Sequence, residues 1–420
     1  MKSACLWFTV VAATGISCVC FAEDWPQWRG PNRNGISREH IQPHWPVTGP
    51  KVVWSAAVGT GFAGISISNG RAYTLGNATN EDTVWCFEAR TGALIWKQSY
   101  PAQLSPQWYE GGPGATATVE GSRVYTISKW GDVFCFDANS GSIIWRKDLR
   151  QDGIKPNRWG FAGSPLIWQD LLILNAGAQG TALDRNTGRV VWSNGTNATG
   201  YASPAIAHSG GIESVLIFAA EHLVALDPRT GAERCRYPWK TDWDTNNSDP
   251  IAYDNCIFLS SFSRGCALLS LKNGNPEALY DTKVVCNNLS PGVLLGPYYY
   301  VFSGEAKKDT ELRCLHLPTG QLEWSTKEPA FGSIISANGS LIVLTEKGEL
   351  LLYEQKGSKL ETPPETGPMP KAELGAHAKV LNGVCWTPPS LANGFLYVRN
   401  AKGEVRCLDL SSPSGADSAL

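Results

Sequence analysis

The chain has 420 residues and a formal net charge of −2, and 43% of its residues are apolar while 18% are charged. That apolar content is enough for a folded core, and the near-zero charge argues against nucleic acid as the main partner. The 43 Gly, 26 Pro and 17 Trp residues suit many short strands joined by tight turns and exclude a helical bundle, whose surface needs charged helix formers.

Residues 1–22 have the pattern of an export signal, with Lys2 before an apolar run. The small residues Cys20 and Ala22 form a small-x-small cleavage site before Glu23. Retention as a membrane anchor is the alternative, and lipid anchoring is disfavoured because no leader cysteine has a bulky aliphatic residue three positions before it. No later segment has the ~18 apolar residues of a spanning helix. We therefore expect an exported protein, periplasmic or extracellular.

An internal repeat organises the rest of the chain. Its clearest copies are VWCFEARTGALIW at 84–96, VFCFDANSGSIIW at 133–145, TALDRNTGRVVW at 181–192 and RCLHLPTGQLEW at 313–324. Less regular copies lie at 223–235, 267–278, 350–361 and 405–410. The turn glycines of successive copies are 37 to 49 residues apart, which is the length of a four-stranded propeller blade.

Each copy combines a small strand residue, an acidic residue two positions later, a turn glycine and a tryptophan. The acid can accept hydrogen bonds from the turn amides and the glycine supplies a positive φ, so we interpret the acids as structural. The tryptophan begins the returning strand and offers a large ring to the neighbouring blade. The tryptophans expected to dock in this way are Trp54, Trp96, Trp145, Trp192 and Trp324.

The copy at 405–410 lacks its fourth strand, while the segment TGPKVVWSAAV at 48–58 has a glycine and a tryptophan but no strand before them. Pairing the two would complete a blade and close the ring, which removes exposed sheet edges. The sequence therefore predicts an all-β, eight-bladed propeller, with seven blades as the alternative if 350–361 is only a loop. The predicted boundaries are a leader at 1–22, an N-terminal segment at 23–47, one propeller domain at 48–410 and a disordered tail at 411–420.

Nine cysteines follow the predicted leader. No two are adjacent and none forms a CxxC pair, so the sequence offers neither a zinc site nor a thioredoxin-like motif. A disulfide between Cys256 and Cys266 across a hairpin is an alternative. Four others recur at one position of the repeat, which indicates small core residues: Cys86, Cys135, Cys314 and Cys407.

The unit [C/A]-x-D-x-x-T-G-x-x-x-W resembles the pyrroloquinoline-quinone-like (tryptophan-docking) propeller repeat, and the resemblance covers 25–410. It implies an eight-bladed propeller in which each tryptophan docks on the next blade. One branch of the family comprises quinoprotein dehydrogenases, which bind the quinone and a calcium ion on the axis. The other comprises non-enzymatic, BamB-like propellers of the cell envelope. The opening DWPQWRGPNRNGIS at 24–37 resembles the N-terminal segment of secreted propellers of this class.

This sequence lacks the motifs with which the dehydrogenase branch binds its cofactors and carries out catalysis. That branch typically carries two adjacent cysteines over the cofactor, and this sequence has none, nor a CxxCH haem attachment motif. No local motif matches the calcium-binding Glu, Asn and Asp set or the catalytic Asp. A calcium loop starting at Asp242 also fails, because Asn247 and Tyr253 stand where an EF-hand needs Gly and Glu. We therefore predict no catalytic residue, no metal site and no cofactor, with pyrroloquinoline quinone and calcium as the alternative.

The loops that enter the innermost strands are rich in aromatic and amide side chains, and in a propeller these loops share one face. Ring faces give contact area and amides give direction, which suits a peptide, a glycan or a flat ring. The alternative is that the rings fill a closed channel. The residues expected to converge on the axial mouth are Trp108, Tyr109, Arg158, Trp159, Trp243, Asn246, Asn247, Asn287, Asn288 and Trp386.

These features together predict an exported, monomeric, non-enzymatic binding or scaffolding module of the cell envelope. The expected partner is an envelope protein or peptide. A quinone-dependent dehydrogenase and a glycan-binding propeller are the alternative functions.

Overall fold

The structure is a computed structural model that describes residues 23–411 apart from 273, 290, 306–307, 355–359 and 361–368. The described residues form an all-β, eight-bladed propeller of four-stranded antiparallel sheets, which confirms the predicted fold class. Two short 3-10 helices, Leu149–Asp152 and Asp242–Asp244, are the helical elements of the described ranges. In this part of the chain, no helix has the length and apolar character to cross a membrane.

Each blade runs outward from the channel, and the first strands of neighbouring blades contact each other around the axis. Two strands precede the first complete blade, β1 (Ile36–Ser37) and β2 (Lys51–Ala57). Blade 1 contains β3 (Ser66–Ser68), β4 (Arg71–Ala78), β5 (Glu81–Glu88) and β6 (Leu94–Pro101). Blade 2 contains β7 (Thr118–Glu120), β8 (Arg123–Ile127), β9 (Asp132–Asp137) and β10 (Ile143–Asp148). Blade 3 contains β11 (Leu166–Trp168), β12 (Leu171–Leu174), β13 (Thr181–Asp184) and β14 (Val190–Ser193).

The remaining blades follow in chain order. Blade 4 contains β15 (Ala205–Ser209), β16 (Ile212–Phe218), β17 (His222–Leu226) and β18 (Glu233–Pro238). Blade 5 contains β19 (Ile251–Tyr253), β20 (Cys256–Ser261), β21 (Gly265–Ser270) and β22 (Glu277–Thr282). Blade 6 contains β23 (Val293–Leu295), β24 (Tyr298–Gly304), β25 (Thr310–His316) and β26 (Gln321–Thr326). Blade 7 contains β27 (Gly332–Ala337), β28 (Ser340–Thr345), β29 (Glu349–Glu354) and β30 (Glu373–Lys379).

Blade 8 closes the ring from both ends of the chain. It contains β31 (Ser390–Ala392), β32 (Phe395–Arg399), β33 (Glu404–Asp409) and, as its outermost strand, β2. Trp54 of β2 lies opposite Cys407 of β33, as the repeat register requires. The guanidinium of Arg399, 1% exposed, donates to the carbonyl oxygens of Ala63 (2.8 Å) and Leu75 (2.7 Å) in and beside blade 1. Burial lowers the pKa of Arg399 to about 9.

Tryptophans of the repeat join successive blades. The indole Nε1 of Trp96 in blade 1 donates to the carbonyl oxygen of Ala138 in blade 2 at 2.9 Å. The ring covers Gly141, whose φ is +73°, and a Cβ there would lie 2.6 Å from the indole. Only glycine accommodates both the positive φ and the close ring. The same arrangement recurs for Trp54 on Gly92, Trp145 on Gly188 and Trp192 on Gly231.

The docking pattern changes in the degenerate blades. Cys235 of blade 4 stands where a tryptophan is expected, and no heavy atom of the described residues beyond the chain neighbours lies within 4 Å of a Cβ position at Gly274. In blade 5 the ring of Tyr280 lies against Gly320, and its hydroxyl donates to the carbonyl oxygen of Leu317 at 2.7 Å. The turn on which Trp324 was expected to dock, around 357, lies outside the described residues.

The nine cysteines of the described chain are free. The alternative of a disulfide between Cys256 and Cys266 is wrong, because the hairpin register places Cys256 opposite Ser270 and Cys266 opposite Ser260. The four cysteines of the repeat position are fully buried between cross-strand aromatic partners. In blade 1, for example, Cys86 pairs with Tyr73 on one side and Trp96 on the other.

The N-terminal segment crosses the central channel, which the repeat pattern did not indicate. Strand β1 pairs in parallel with β27, the innermost strand of blade 7. Trp25 pairs with Ile67 of blade 1, and the amide of Val119 in blade 2 donates to the carbonyl oxygen of Pro26. We call residues 24–41 the plug, because they contact the inner strands of blades on opposite sides of the channel.

Candidate functional site

A cavity of about 370 Å³ lies on the axis, above the plug. Its lining comes from the plug and from the loops before or within blades 1 to 6 and 8, so nearly the whole ring contributes. Most of the lining surface is apolar, and eight aromatic side chains form it: Trp28, Phe62, Trp108, Tyr109, Trp159, Phe161, Tyr201 and Trp386.

Trp28 and Asp249 connect the plug to the cavity. The indole Nε1 of Trp28 donates to Asp249 Oδ2 at 2.7 Å, and the amide of Ser203 donates to Asp249 Oδ1 at 2.7 Å. Both carboxylate oxygens are thus held, one by the plug and one by the loop that enters blade 4. Because Trp28 and Asp249 also line the cavity, the plug supplies part of its wall.

Two arginines of the plug, the buried Arg29 and the partly buried Arg33, lie near the same carboxylate. Arg29 donates to the carbonyl oxygens of Asn34 (2.8 Å) and Gly292. Arg33 donates to the carbonyl oxygens of Ser164 and Pro165 beside blade 3. Burial lowers the pKa of both guanidinium groups, to about 10 for Arg33, and the negative charge of Asp249 opposes this shift in each. Asp249 therefore compensates the charge that the plug carries into the channel.

The aromatic wall is built from rings that support one another. Phe62 stacks on Trp386 with ring centroids 5.3 Å apart and contacts Tyr109 at 5.6 Å. The rings of Trp159 and Tyr201 are 5.6 Å apart on another part of the wall. Trp108 is 84% exposed although it lines the cavity, so most of its surface is accessible to a bound group.

Two amides supply direction at the cavity edge. Asn247 Nδ2 donates to Asn288 Oδ1 at 2.9 Å. Asn247 Oδ1 is buried and accepts no hydrogen bond within the described residues. A buried acceptor of this kind gains free energy from a ligand that brings an N–H or O–H donor.

Six of the ten residues predicted for the axial mouth line this cavity: Trp108, Tyr109, Trp159, Asn247, Asn288 and Trp386. Arg158 and Trp243 lie outside the lining, where the guanidinium stacks on the rings of Trp159 and Trp243. Asn246 is fully buried and its amide donates to the carbonyl oxygen of Ala219 at 2.6 Å. Asn287 is also buried, with its amide on the carbonyl oxygen of Phe302. Both asparagine side chains therefore stabilise their loops through hydrogen bonds to buried backbone carbonyl oxygens.

Sequence reasoning missed Trp28, Phe62, Phe161, Tyr201 and Asp249. A short motif could have revealed three of them, because Phe62, Phe161 and Tyr201 each stand between a glycine and an alanine, as G-[FY]-A before blades 1, 3 and 4. Such a repeated loop motif indicates equivalent positions around the axis. No comparable signal marks Trp28, which belongs to a segment that occurs once.

Lys129 contacts the aromatic wall of the cavity but does not line the cavity itself. Its side chain is buried, Nζ donates to the carbonyl oxygen of Ser105 at 3.0 Å, and it lies 5.0 Å from the centre of the Tyr109 ring. Burial lowers the pKa of Lys129 to about 8, and the charge of Asp82 opposes that shift. The loop that carries Trp108 and Tyr109 is therefore tied to blade 2 through one buried amine.

Lys129 should make stability depend on pH in a defined direction. Between pH 8 and 10.5 the unfolded chain binds more protons at this amine than the folded chain does, so folding should become more favourable as pH rises. We expect the free energy of unfolding of the native protein, measured with urea at pH 7 and pH 10, to increase relative to that of Lys129→Met. An equal change in both proteins would contradict the lowered pKa of Lys129 in the folded protein.

The polar groups of the cavity bear on the expected metal and cofactor. Within the described residues, no group of three or more His, Cys, Asp or Glu side chains is placed to hold a metal ion. Among the described residues, the side chains that line the cavity include the carboxylates of Asp249 and Glu305 and neither a lysine nor an arginine. Pyrroloquinoline quinone carries three carboxylates, so this lining does not match the charge of that cofactor.

Comparison with known proteins gives one family match and several structures with a similar fold. The family model described as "Outer membrane protein assembly factor BamB" matches residues 80–326. The fold is similar to BamB from Moraxella catarrhalis, at 15% identity over 87% of this chain and 98% of that one, with a TM-score of 0.61. It is also similar to the quinohemoprotein alcohol dehydrogenase from Comamonas testosteroni (15% identity, 93% and 81% covered, TM-score 0.66). A europium-containing methanol dehydrogenase is a third match (13%, 90% and 89%, 0.65).

No curated protein sequence matches the chain significantly. At 13–15% identity, the solved structures show a shared propeller fold and nothing about activity. The family match is different in kind, because it spans more than half of the chain and includes the copies of the repeat from blade 1 to blade 6. The chain therefore belongs to the propeller family described as outer membrane protein assembly factor BamB.

Proposed function

We propose that this protein is an exported, non-enzymatic binding module of the cell envelope that holds a peptide segment of a partner protein in the axial cavity. The observation that supports this proposal is the cavity itself, with eight aromatic side chains, a wall partly supplied by the plug and an acceptor without a donor at Asn247. Membership of the BamB family supports an envelope location and a protein partner.

The size and chemistry of the cavity favour a peptide over a large ligand. A volume of about 370 Å³ lies near the lower limit of small-molecule pockets and accommodates one or two large side chains. Aromatic rings would bury those side chains, while Asn247 Oδ1 would accept an N–H of the peptide. The same rings and amides would also suit a sugar, which keeps glycan binding as an outcome of the test.

The charges of the cavity lining argue against the dehydrogenase alternative, because both the cofactor and the lining carry carboxylates. A tricarboxylate in this cavity would face Asp249 and Glu305, and the described lining residues include neither a lysine nor an arginine, although Lys308 pairs with Glu305 at its edge. The guanidinium groups of Arg29 and Arg33 donate to backbone carbonyl oxygens of the plug and inner loops. We therefore assign the cavity to peptide binding.

The test is selection of a displayed library of random 12-residue peptides on the purified protein. We expect selected peptides to lose about 30-fold or more in affinity on Trp159→Ala, the cost of removing an aromatic anchor worth about 2 kcal/mol. Trp243→Ala is the matched control, because Trp243 stacks on the same Arg158 but lies outside the cavity. That variant should bind like the native protein.

Three results would overturn the proposal. The first is a set of selected peptides whose binding is unaffected by Trp159→Ala. The second is stoichiometric binding of pyrroloquinoline quinone with calcium, followed by dye reduction with alcohols or sugars. The third is binding on a glycan array that is lost in Trp159→Ala while no peptide binds.

A further inference from the structure

Glu39 is a buried carboxylate at the start of the propeller. It is 3% exposed and lies in the plug, where it meets the turn between β31 and β32 of blade 8. Glu39 Oε1 accepts hydrogen bonds from the amides of Asn393 (2.6 Å) and Glu23 (2.9 Å), and Oε2 accepts one from the amide of Gly394 (2.7 Å). Three main-chain N–H groups thus converge on one carboxylate.

The charge of this carboxylate has no cationic side chain to balance it. Among the ion pairs of the described residues, no lysine, arginine or histidine reaches Glu39. Burying a carboxylate with hydrogen bonds alone costs more free energy than burying it with a positive group. The nitrogen of Glu23 is the one partner of Glu39 that a single covalent change could make cationic.

We propose that the bond between Ala22 and Glu23 is the processing site of this protein, and that the α-ammonium released at Glu23 pairs with Glu39. A leader endopeptidase would hydrolyse the bond with one water molecule. The C–N bond breaks, a carboxylate forms on Ala22, and the amine of Glu23 takes up a proton at neutral pH. The hydrogen bond already present at 2.9 Å then becomes a buried ion pair.

The sequence points to this bond, and the contacts of the residues that follow it are compatible with cleavage there. The sequence places small residues at Cys20 and Ala22, which is the preference of a leader endopeptidase. The structure holds the chain in place at the next residues, since Asp24 Oδ2 accepts the amide of Asn69 at 2.8 Å and Trp25 pairs with Ile67 of blade 1. Cleavage at this point removes the leader and leaves the anchored residues intact.

The ion pair would act as a clasp where the ring closes. Asn69 lies in the first hairpin turn of blade 1, and Asn393 and Gly394 lie in that of blade 8. The segment from Glu23 to Asp24 therefore connects blade 1 to blade 8, the blade that closes the ring. This inference does not depend on the proposed function of the cavity. Glu23 and Glu39 lie outside the cavity lining, and their ion pair needs no ligand.

The first experiment identifies the mature end of the protein. The full 420-residue chain is expressed in a Gram-negative host, recovered from the periplasm and analysed by intact mass and N-terminal sequencing. We expect a chain that starts at Glu23. A chain that keeps its leader, or that starts at any other residue, would overturn the proposal.

The second experiment tests the ion pair with a double-mutant cycle. Chains beginning at Glu23 are compared with chains extended by one alanine, each with Glu39 or with Glu39→Gln. The extension replaces the charged amine near Glu39 by a neutral amide, so it should lower Tm by about 2 °C or more in the Glu39 chain. In the Glu39→Gln background the same extension should change Tm by less than half as much. Equal shifts in both backgrounds would show that no ion pair forms.

A chemical variant covers the case in which Glu39→Gln does not fold. Acetylation of the Glu23 amine removes its charge and leaves Glu39 in place. We expect the acetylated chain to melt at a lower temperature than the free chain, by the same 2 °C or more. Identical melting temperatures would refute the clasp.

Discussion

Replacing Trp96 with alanine should lower the free energy of unfolding by about 3–5 kcal/mol, the usual cost of removing a buried tryptophan. The ring is 7% exposed, covers Gly141 of the next blade and donates to the carbonyl oxygen of Ala138. Its loss would leave a void at the junction of blades 1 and 2 and an unpaired carbonyl oxygen. Urea denaturation followed by tryptophan fluorescence and circular dichroism measures the change.

The control for Trp96→Ala is Trp108→Ala. Trp108 is the same residue type in a loop and is 84% exposed, so its removal should change stability by less than about 0.5 kcal/mol. If both variants lose the same stability, the docking of Trp96 between blades does not contribute as the structure indicates.

Replacing Asp249 with asparagine should lower the free energy of unfolding by about 1.5–3 kcal/mol, the value of hydrogen bonds to a charged group, because it removes the negative charge near the guanidinium groups of Arg29 and Arg33. The carboxylate also accepts hydrogen bonds from Trp28 and Ser203, and asparagine can replace only one of its two acceptor oxygens. We expect the plug to separate from the ring before the blades unfold. Limited proteolysis should then cut within 24–41 in the variant, at a protease concentration that leaves the native protein intact.

The matched control for Asp249→Asn is Glu221→Gln. Glu221 forms an exposed ion pair with Lys240, and such pairs contribute 0–1 kcal/mol at most. We expect native stability and no cleavage of the plug in this variant. Native resistance of the Asp249→Asn plug to protease would show that Asp249 does not anchor it.

The sequence predicted several residues of the candidate site that lie in loops before an innermost strand. A long loop with Trp108 and Tyr109 before an innermost strand has to lie at the channel mouth, and so does Trp159. Neighbouring positions were harder, since Asn246 points into the ring while Asn247 reaches the cavity. The backbone just before them forms a 3-10 turn in which Trp243 and Asp244 have positive φ, and no regular alternation predicts side-chain direction there.

The repeat explains why the sequence is rich in Gly and Trp. Glycines such as Gly141 are needed at turns that meet a ring, and tryptophans such as Trp96 supply that ring. Where the repeat degenerates, the sequence could not show what replaces it. Tyr280 takes the place of a docking tryptophan in blade 5, while at Cys235 no ring takes it.

The sequence by itself determined the class of fold and the closure of the ring by β2, and it predicted eight blades with seven as the alternative. These features repeat or pair locally, so each copy carries the information for one blade and its contact with the next. Only the tertiary structure decided what occupies the channel. The plug occurs once, and its contacts join Trp28, Arg29 and Arg33 to blades more than 100 residues away. Such contacts depend on the closed ring as a whole, and no periodicity in the sequence records them.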